Sequence, residues 1–261
     1  MKTACIQMNM ALGNTAANFE RAKELIRLAA KDRPDVILLP ETWNTGFFPE
    51  SGLREMSAGA SERVKAELGG LAREYSVNII AGSVSNLRDG KVYNTALILD
   101  RAGRCIASYD KTHLFSPMKE DKHYAPGQEL CAFSLDGIPC GIIICYDIRF
   151  PELTRSLALR GMDVLFVVSQ WPNKRIRHLH ALTAARAIEN QAYVVCCNST
   201  GRTKDIQYAG CSPVISPLGN TVAIGEGFES ILTAELDLSI LSEIRSSIPV
   251  MNDRRPDLYK L

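Results

Sequence analysis

Three apolar runs in this sequence each end in a side chain able to move a proton or attack carbon: "VILLPE" at Glu41, "IASYDK" at Lys111 and "GIIIC" at Cys145. A carboxylate, an ammonium and a thiol are together the parts needed for acyl transfer through a thioester. A free thiol has a pKa of about 8.5, so Cys145 needs a base or nearby positive charge to act as a nucleophile near neutral pH. Glu41 can take that proton and later give one to a departing amine. Lys111, kept charged, favours the thiolate and stabilises the oxyanion of the tetrahedral intermediate, alongside a backbone N–H after the nucleophile. The abrupt strand-to-turn change at Cys145–Tyr146 exposes the sulfur and turns that N–H inward. Each residue alone has a plainer explanation: cysteine buries readily, Glu41 can cap a turn, and Lys111 can be a solvated charge. Their joint placement at strand ends is what points to chemistry.

Such groups need rigid supports, and in α/β proteins sites gather at the carboxyl ends of strands. Thr3–Met8 reads as a strand, and Ala17–Lys31 as a helix with Phe19, Ala22, Leu25, Ile26 and Ala29 on one face and Asn14 or Thr15 near its start. "DVILLPE" is an apolar strand, and Ser61–Tyr75 a second helix. "VNIIAGSVS", "VYNTALIL", "CIASYD", "CAFSL" and "PCGIIIC" follow as strands. A helix near Glu152–Arg160, the strand "DVLFVVSQ", a long helix from Arg175 to Gln191 and four further strands complete the order. Strands outnumber helices, which predicts layers of helix, sheet, sheet and helix rather than one doubly wound sheet. With no repeat or linker, residues 1–261 read as a single domain, and 244–261 as either an arm onto a partner subunit or a loose tail.

Bulk properties narrow the function. A net charge of +1 supplies no field to attract nucleic acid or an anionic membrane, so a small molecule or another protein is the expected partner. No apolar stretch approaches a membrane span, and Met1–Ala11 lacks the pattern of a signal peptide, which points to the cytoplasm. The eight cysteines contain no C-x-x-C pair, and Cys5, Cys105, Cys131, Cys140, Cys196, Cys197 and Cys211 read as reduced core residues.

"LLPETW", "YDKTHLF" and "IICYDIRFPE" resemble the three signature segments of the carbon-nitrogen hydrolase family, often called the nitrilase superfamily. "GSVS", "YNTA", "YAPG", "SQWP", "ARAIENQAYVVCCNSTG" and "YAGCSPVISPLG" fall in family order, so the resemblance covers nearly the whole chain. It implies a nitrilase-like four-layer α-β-β-α sandwich, a homodimer, and no metal or organic cofactor. It also implies a Glu-Lys-Cys triad with Glu41 as general base, Lys111 as oxyanion-stabilising cation and Cys145 as nucleophile. Tyr146 would supply the backbone N–H. A second glutamate that positions the lysine matches Glu120 best, ahead of Glu129 and the shorter Asp121.

The segment "SQWPNKRIRHLHALTAARAIENQ" is similar to omega-amidase branches, which act on 2-oxo-dicarboxylic acid monoamides such as 2-oxoglutaramate. Trp171 would wall the pocket, and Arg175 or Arg177 would pair with a substrate carboxylate. Basic residues at a helix start oppose the macrodipole and favour an external anion there, though an exposed basic first turn is the competing reading. His178 and His180 read as packing or hydrogen-bonding residues. Arg149 reads as a support for Glu152 or Asp147, and Arg186 as pairing with Glu189 or the nucleophile loop. Trp43, Phe47 and Phe48 read as pocket lining or core. The expectation is a thiol amidohydrolase that uses water to release ammonia and an acid. The alternatives are a nitrile or N-carbamoyl amino acid hydrolase with the same triad, a non-catalytic interaction protein on the same fold, or a thiol redox protein. The last lacks a resolving cysteine near Cys145, because Cys140 lies too far back along an extended strand.

Overall fold

A computed structural model describes residues 1–47, 49 and 51–259. In chain order its elements are β1 (Lys2–Gln7), α1 (Thr15–Ala30), β2 (Val36–Leu38), α2 (Leu53–Ser57), α3 (Ala60–Tyr75), β3 (Asn78–Arg88), β4 (Lys91–Leu99), β5 (Cys105–Asp110), β6 (Cys131–Leu135) and β7 (Ile138–Ile144). Then come α4 (Pro151–Ala158), β8 (Val164–Ser169), α5 (Ile176–Asn190), β9 (Tyr193–Asn198), β10 (Thr200–Thr203), β11 (Ile206–Ala209), β12 (Pro213–Ile215), β13 (Thr221–Ile224), β14 (Ser230–Glu235) and α6 (Leu241–Ser247).

Two six-stranded sheets form, in the orders β14-β1-β2-β3-β4-β5 and β13-β12-β9-β8-β7-β6. Their central strands are apolar on both faces because each face meets another layer. In β7, Ile142 and Ile144 pack between the sheets while Ile143 faces α4 and α5; in β8, Val164, Phe166 and Val168 face inward and Leu165 and Val167 outward. In the first sheet Val36 and Leu38 enter the same central layer, while Ile37 and Leu39 pack under α1 and α3. The result is the expected four-layer α-β-β-α sandwich. Asn14 caps α1 by accepting from the Ala17 N–H at 3.1 Å, and Phe19, Ala22, Leu25, Ile26 and Ala29 form its buried face.

The layers also meet through polar contacts at one edge. Arg101 bonds to Asp35 of the first sheet's side and to Asp136 in the turn between β6 and β7, both at 2.7 Å. α6 and the residue that follows it are held against their own chain: Arg245 of α6 pairs with Asp163 at 2.7 Å, and Gln191 Nε2 donates to the Ile248 carbonyl at 2.7 Å. Among the described residues no helix is long and apolar enough to cross a membrane.

Candidate active site

In the first sheet β2 runs parallel to β1 and β3, and in the second β7 runs parallel to β8; the segments just past β2, β7, β8 and the edge strand β5 meet at one rim of the sandwich. Glu41 lies just past β2, in a turn that presses onto β3. Ser83 N–H donates to the Pro40 carbonyl at 3.0 Å, and the Thr42 N–H to Ser83 Oγ at 3.0 Å. This approach needs Gly82: a Cβ there would stand 2.1 Å from the Pro40 oxygen, and its φ of +56° already favours glycine. Lys111 follows β5 and Cys145 follows β7. Cys145 adopts φ +47°, a left-handed conformation uncommon for a residue with a side chain, and opens a short 3₁₀ turn over Cys145–Arg149.

Glu41, Lys111 and Glu120 form a cluster whose side chains are inaccessible to solvent. Lys111 Nζ is 2.8 Å from Glu41 Oε1 and 2.9 Å from Glu120 Oε2. Asn94 Nδ2 donates to Glu41 Oε1 at 2.9 Å, and the Gln170 N–H to Glu41 Oε2 at 2.9 Å. The Phe115 N–H holds Glu120 Oε2. Burial opposes the charge on Lys111, but the carboxylates of Glu41 and Glu120 outweigh it and hold the amine above its ordinary value. Burial pushes the Glu120 carboxyl up, with Lys111 pulling against it. The Cys145 thiol is likewise driven up, first by burial and then by the charge of Glu41, with Lys111 opposing. The resting thiol is therefore neutral and needs a proton acceptor to become reactive.

A second network fixes the turn that carries Cys145. Asp147 is fully buried and accepts five hydrogen bonds. Oδ2 takes the Ile144 N–H at 3.0 Å and the Tyr109 hydroxyl at 2.8 Å; Oδ1 takes Thr112 Oγ1 at 3.1 Å, the His113 N–H at 2.9 Å and His113 Nδ1 at 2.8 Å. Its donors come from the cysteine turn and from both sides of Lys111, so one carboxylate ties the two segments together. Arg186 supports the same turn from behind, donating to the Ile148 carbonyl at 2.9 Å while pairing with Glu189 at 2.9 Å.

Lys111, Cys145, Tyr146 and Trp171 line one common cavity. Phe47, Phe115 and Tyr208 add aromatic walls, and Arg149 and Arg175 bring two guanidinium groups. Arg149 stacks 4.8 Å from the Trp171 ring and Arg175 lies 5.2 Å from the Phe115 ring. Among the described residues neither has a carboxylate within ion-pair distance. Arg177 is exposed on the first turn of α5, outside the cavity lining. Arg149 does not pair with Glu152 or Asp147 as its position in the sequence suggested; it turns into the cavity because other donors already saturate Asp147. Glu120 is buried against Lys111, whereas Asp121 and Glu129 are exposed. Trp43 is core, packed on Phe19 with its Nε1–H on the Ala81 carbonyl at 2.7 Å, and Phe48 lies outside the described residues. His180 Nε2 lies 3.1 Å from the Cys211 carbonyl oxygen, and His178 lies against Arg149. Sequence reasoning gave no site role to Asn94, Gln170 or Tyr208; the segments "YNTA", "SQWP" and "YAGC" around them were the available signal. Among the described residues no cluster of three or more His, Cys, Asp or Glu side chains is arranged to hold a metal ion.

Comparison with known proteins returns one family, carbon-nitrogen hydrolase, matching residues 2–246. The chain is similar to a 2-oxoglutaramate amidase of Bacillus subtilis, 40% identical over 98% of each chain. It is similar to the omega-amidase NIT2-A of Xenopus laevis, 34% identical over 94% of this chain and 91% of the relative. Among solved structures it resembles Saccharomyces cerevisiae Nit3, a member of branch 10 of the nitrilase superfamily. That likeness has a TM-score of 0.90 at 28% identity and covers 98% of this chain and 96% of that one.

Proposed function

The chain belongs to the carbon-nitrogen hydrolase family and is a hydrolase of carbon–nitrogen bonds other than peptide bonds; from that premise we propose that it cleaves 2-oxo-dicarboxylic acid monoamides, releasing the acid and ammonia. The observation that carries this reading is the pair of guanidinium groups, Arg149 and Arg175, facing the cavity that holds Cys145 with no carboxylate among the described residues paired to either. An anionic group on the substrate would complete them. The likeness to a 2-oxoglutaramate amidase supports the same substrate class.

In the proposed mechanism the amide carbon meets Cys145 Sγ as Glu41 takes the thiol proton. The oxyanion is stabilised by the Lys111 ammonium and the Tyr146 backbone N–H. Glu41 returns the proton to the amide nitrogen, the carbon–nitrogen bond breaks, and ammonia leaves a thioester on Cys145. Water then gives its proton to Glu41 and attacks the thioester carbon; the second tetrahedral intermediate expels the sulfur, which recovers its proton. Glu120 keeps Lys111 charged and in place, and Trp171 walls the acyl chain. Arg149 replaces Arg177 in this reading, because Arg177 lies outside the cavity lining.

We place this activity in the cytoplasm, in a single hydrolase domain that assembles as a homodimer, with 244–261 as an arm toward the second copy. Exposed Ile248 and Leu258 within that segment, and exposed Ile188 on α5, support an interface there. Ammonia release from 2-oxoglutaramate, 2-oxosuccinamate, glutamine, an aliphatic amide, an N-carbamoyl amino acid and an aliphatic nitrile tests the substrate class. The 2-oxo acid amides are expected to lead in kcat/KM by about 100-fold or more. A lead for the nitrile or the carbamoyl compound would overturn the reading.

A further inference from the structure

One wall of the cavity carries a polar group that the mechanism leaves unused. Tyr208, on β11, lines the cavity and is only 3% exposed. Its backbone is held on two sides. Tyr208 pairs with Gly201 across the β10–β11 hairpin and bridges Pro172, and the adjacent Ala209 N–H donates to the Trp171 carbonyl at 3.1 Å. The ring is thus built into the frame that also carries Trp171. Yet among the described residues its hydroxyl has no hydrogen-bond partner. The buried hydroxyl of Tyr109 donates to Asp147 at 2.8 Å, and that of Tyr124 lies 2.6 Å from Ser85 Oγ. A tyrosine this deeply buried, with its hydroxyl directed to a cavity, is ordinarily satisfied by whatever fills the cavity. Burial, and then the nearby Glu41 carboxylate, raise the phenol well above its ordinary value, so it remains a neutral donor.

We propose that the Tyr208 hydroxyl donates a hydrogen bond to the 2-oxo oxygen of the substrate and is the residue that separates a 2-oxo acid amide from the same chain without the oxo group. The proposal rests on the substrate class argued above. On that reading the amide oxygen goes to Lys111 and the Tyr146 N–H, the amide nitrogen to Glu41, and the carboxylate to Arg149 and Arg175. One neutral acceptor then remains on the substrate. Among the other walls, Phe47, Phe115 and Met118 have no donor, Trp171 Nε1–H is already committed to the Arg175 carbonyl at 2.8 Å, and Tyr146 is half-buried, with water able to reach it, which leaves Tyr208 as the deeply buried phenol. Gln170, whose backbone N–H lies on Glu41, belongs to the amide end. A site shaped to hydrogen-bond one substrate group discriminates strongly against an analogue lacking it, because the site's own polar group is left unpaired.

The test compares wild type and Tyr208→Phe on 2-oxoglutaramate and on the monoamide of glutaric acid, which differs only in lacking the oxo group. Phenylalanine keeps the ring and its packing, so the variant removes the hydroxyl alone. The expected result is a loss of about 10- to 100-fold in kcat/KM on 2-oxoglutaramate, with the glutaric monoamide changed by less than about 3-fold. An equal loss on both substrates would assign Tyr208 to pocket shape or chemistry and overturn the proposal. So would no change on either. If wild type turns over neither compound, the substrate reading itself fails and the assignment of Tyr208 falls with it; turnover of both with no effect of the variant removes the assignment alone.

Discussion

At the residue scale the decisive feature is a lysine with no solvent access held between two carboxylates equally cut off. Removing one partner of a buried charge set costs more than the set contributes, because the remaining charges lose their compensation. Lys111→Met is therefore expected to destabilise the fold by about 3–5 kcal/mol at neutral pH as well as abolish turnover. The sign of its pH dependence follows from Glu120. Burial already pushes that carboxyl up, and without the opposing pull of Lys111 it rises further. A folded-state value above the unfolded one gives stability that is present at low pH and lost as pH rises through it. Urea melts should show a larger deficit for Lys111→Met at pH 8 than at pH 5, and adding Glu120→Gln should recover part of it; an equal deficit at both pH values would contradict the account. Cys145→Ala is the complementary case: turnover should fall to background with the melting curve nearly unchanged, and retained activity would remove Cys145 as the nucleophile.

At the element scale the turn after β7 is held by Asp147, whose five donors come from Ile144 and from residues 109–113. Asp147→Ala removes the acceptor shared by all five, leaving Tyr109, Thr112 and His113 only their contacts with one another, and is expected to cost about 3 kcal/mol, on the scale of buried donors left unsatisfied. Asp147→Asn keeps the volume but presents an N–H₂ to groups that are themselves donors. Its kcat should fall about 10- to 100-fold while KM changes little, since the sulfur and the Tyr146 N–H shift relative to Lys111; an unchanged kcat would show that the turn holds itself. Glu41, Lys111 and Cys145 were legible because each ends an apolar run, and a strand's end is visible in a linear pattern. Glu120 was legible only through family resemblance, since nothing local separates it from Asp121. Arg149 was misread because the Asp147 that would have paired with it is taken up by the adjacent Ile144 N–H and by residues more than 30 positions away. The hairpin of β10 and β11 left no clear periodic signal in two four-residue strands, and with it the inward placement of Tyr208 was hidden.

At the scale of the whole molecule, two sheets share one central layer, and the apolar runs that build it were readable strand by strand. Which edges meet was not, because contacts such as Arg101 with Asp35 and Asp136 join turns far apart in sequence. Burial tends to raise the Asp35 carboxyl, but the Lys2 N–H and the Arg101 guanidinium outweigh it and hold it below the usual range. A depressed value gives stability present above the unfolded pKa of about 3.9 and lost as pH falls below it. Arg101→Met should therefore cost at most about 1 kcal/mol at pH 7, given its partial exposure, and the gap from wild type should close in acid; a gap that persists there would assign the loss to packing. Light scattering on the full chain should give twice its mass, and a monomer would remove the proposed interface. The buried cluster has one more consequence. Counted together with the Cys145 thiol, two carboxylates and one ammonium sum to one negative charge, and passing the thiol proton to Glu41 moves that charge onto sulfur without changing the total. No counterion need enter or leave during the chemical step. The anionic substrate, by contrast, would be drawn in by Arg149 and Arg175 from water, where mobile ions compete. Raising ionic strength should therefore weaken KM and leave kcat level, so that added salt separates capture from chemistry in one titration.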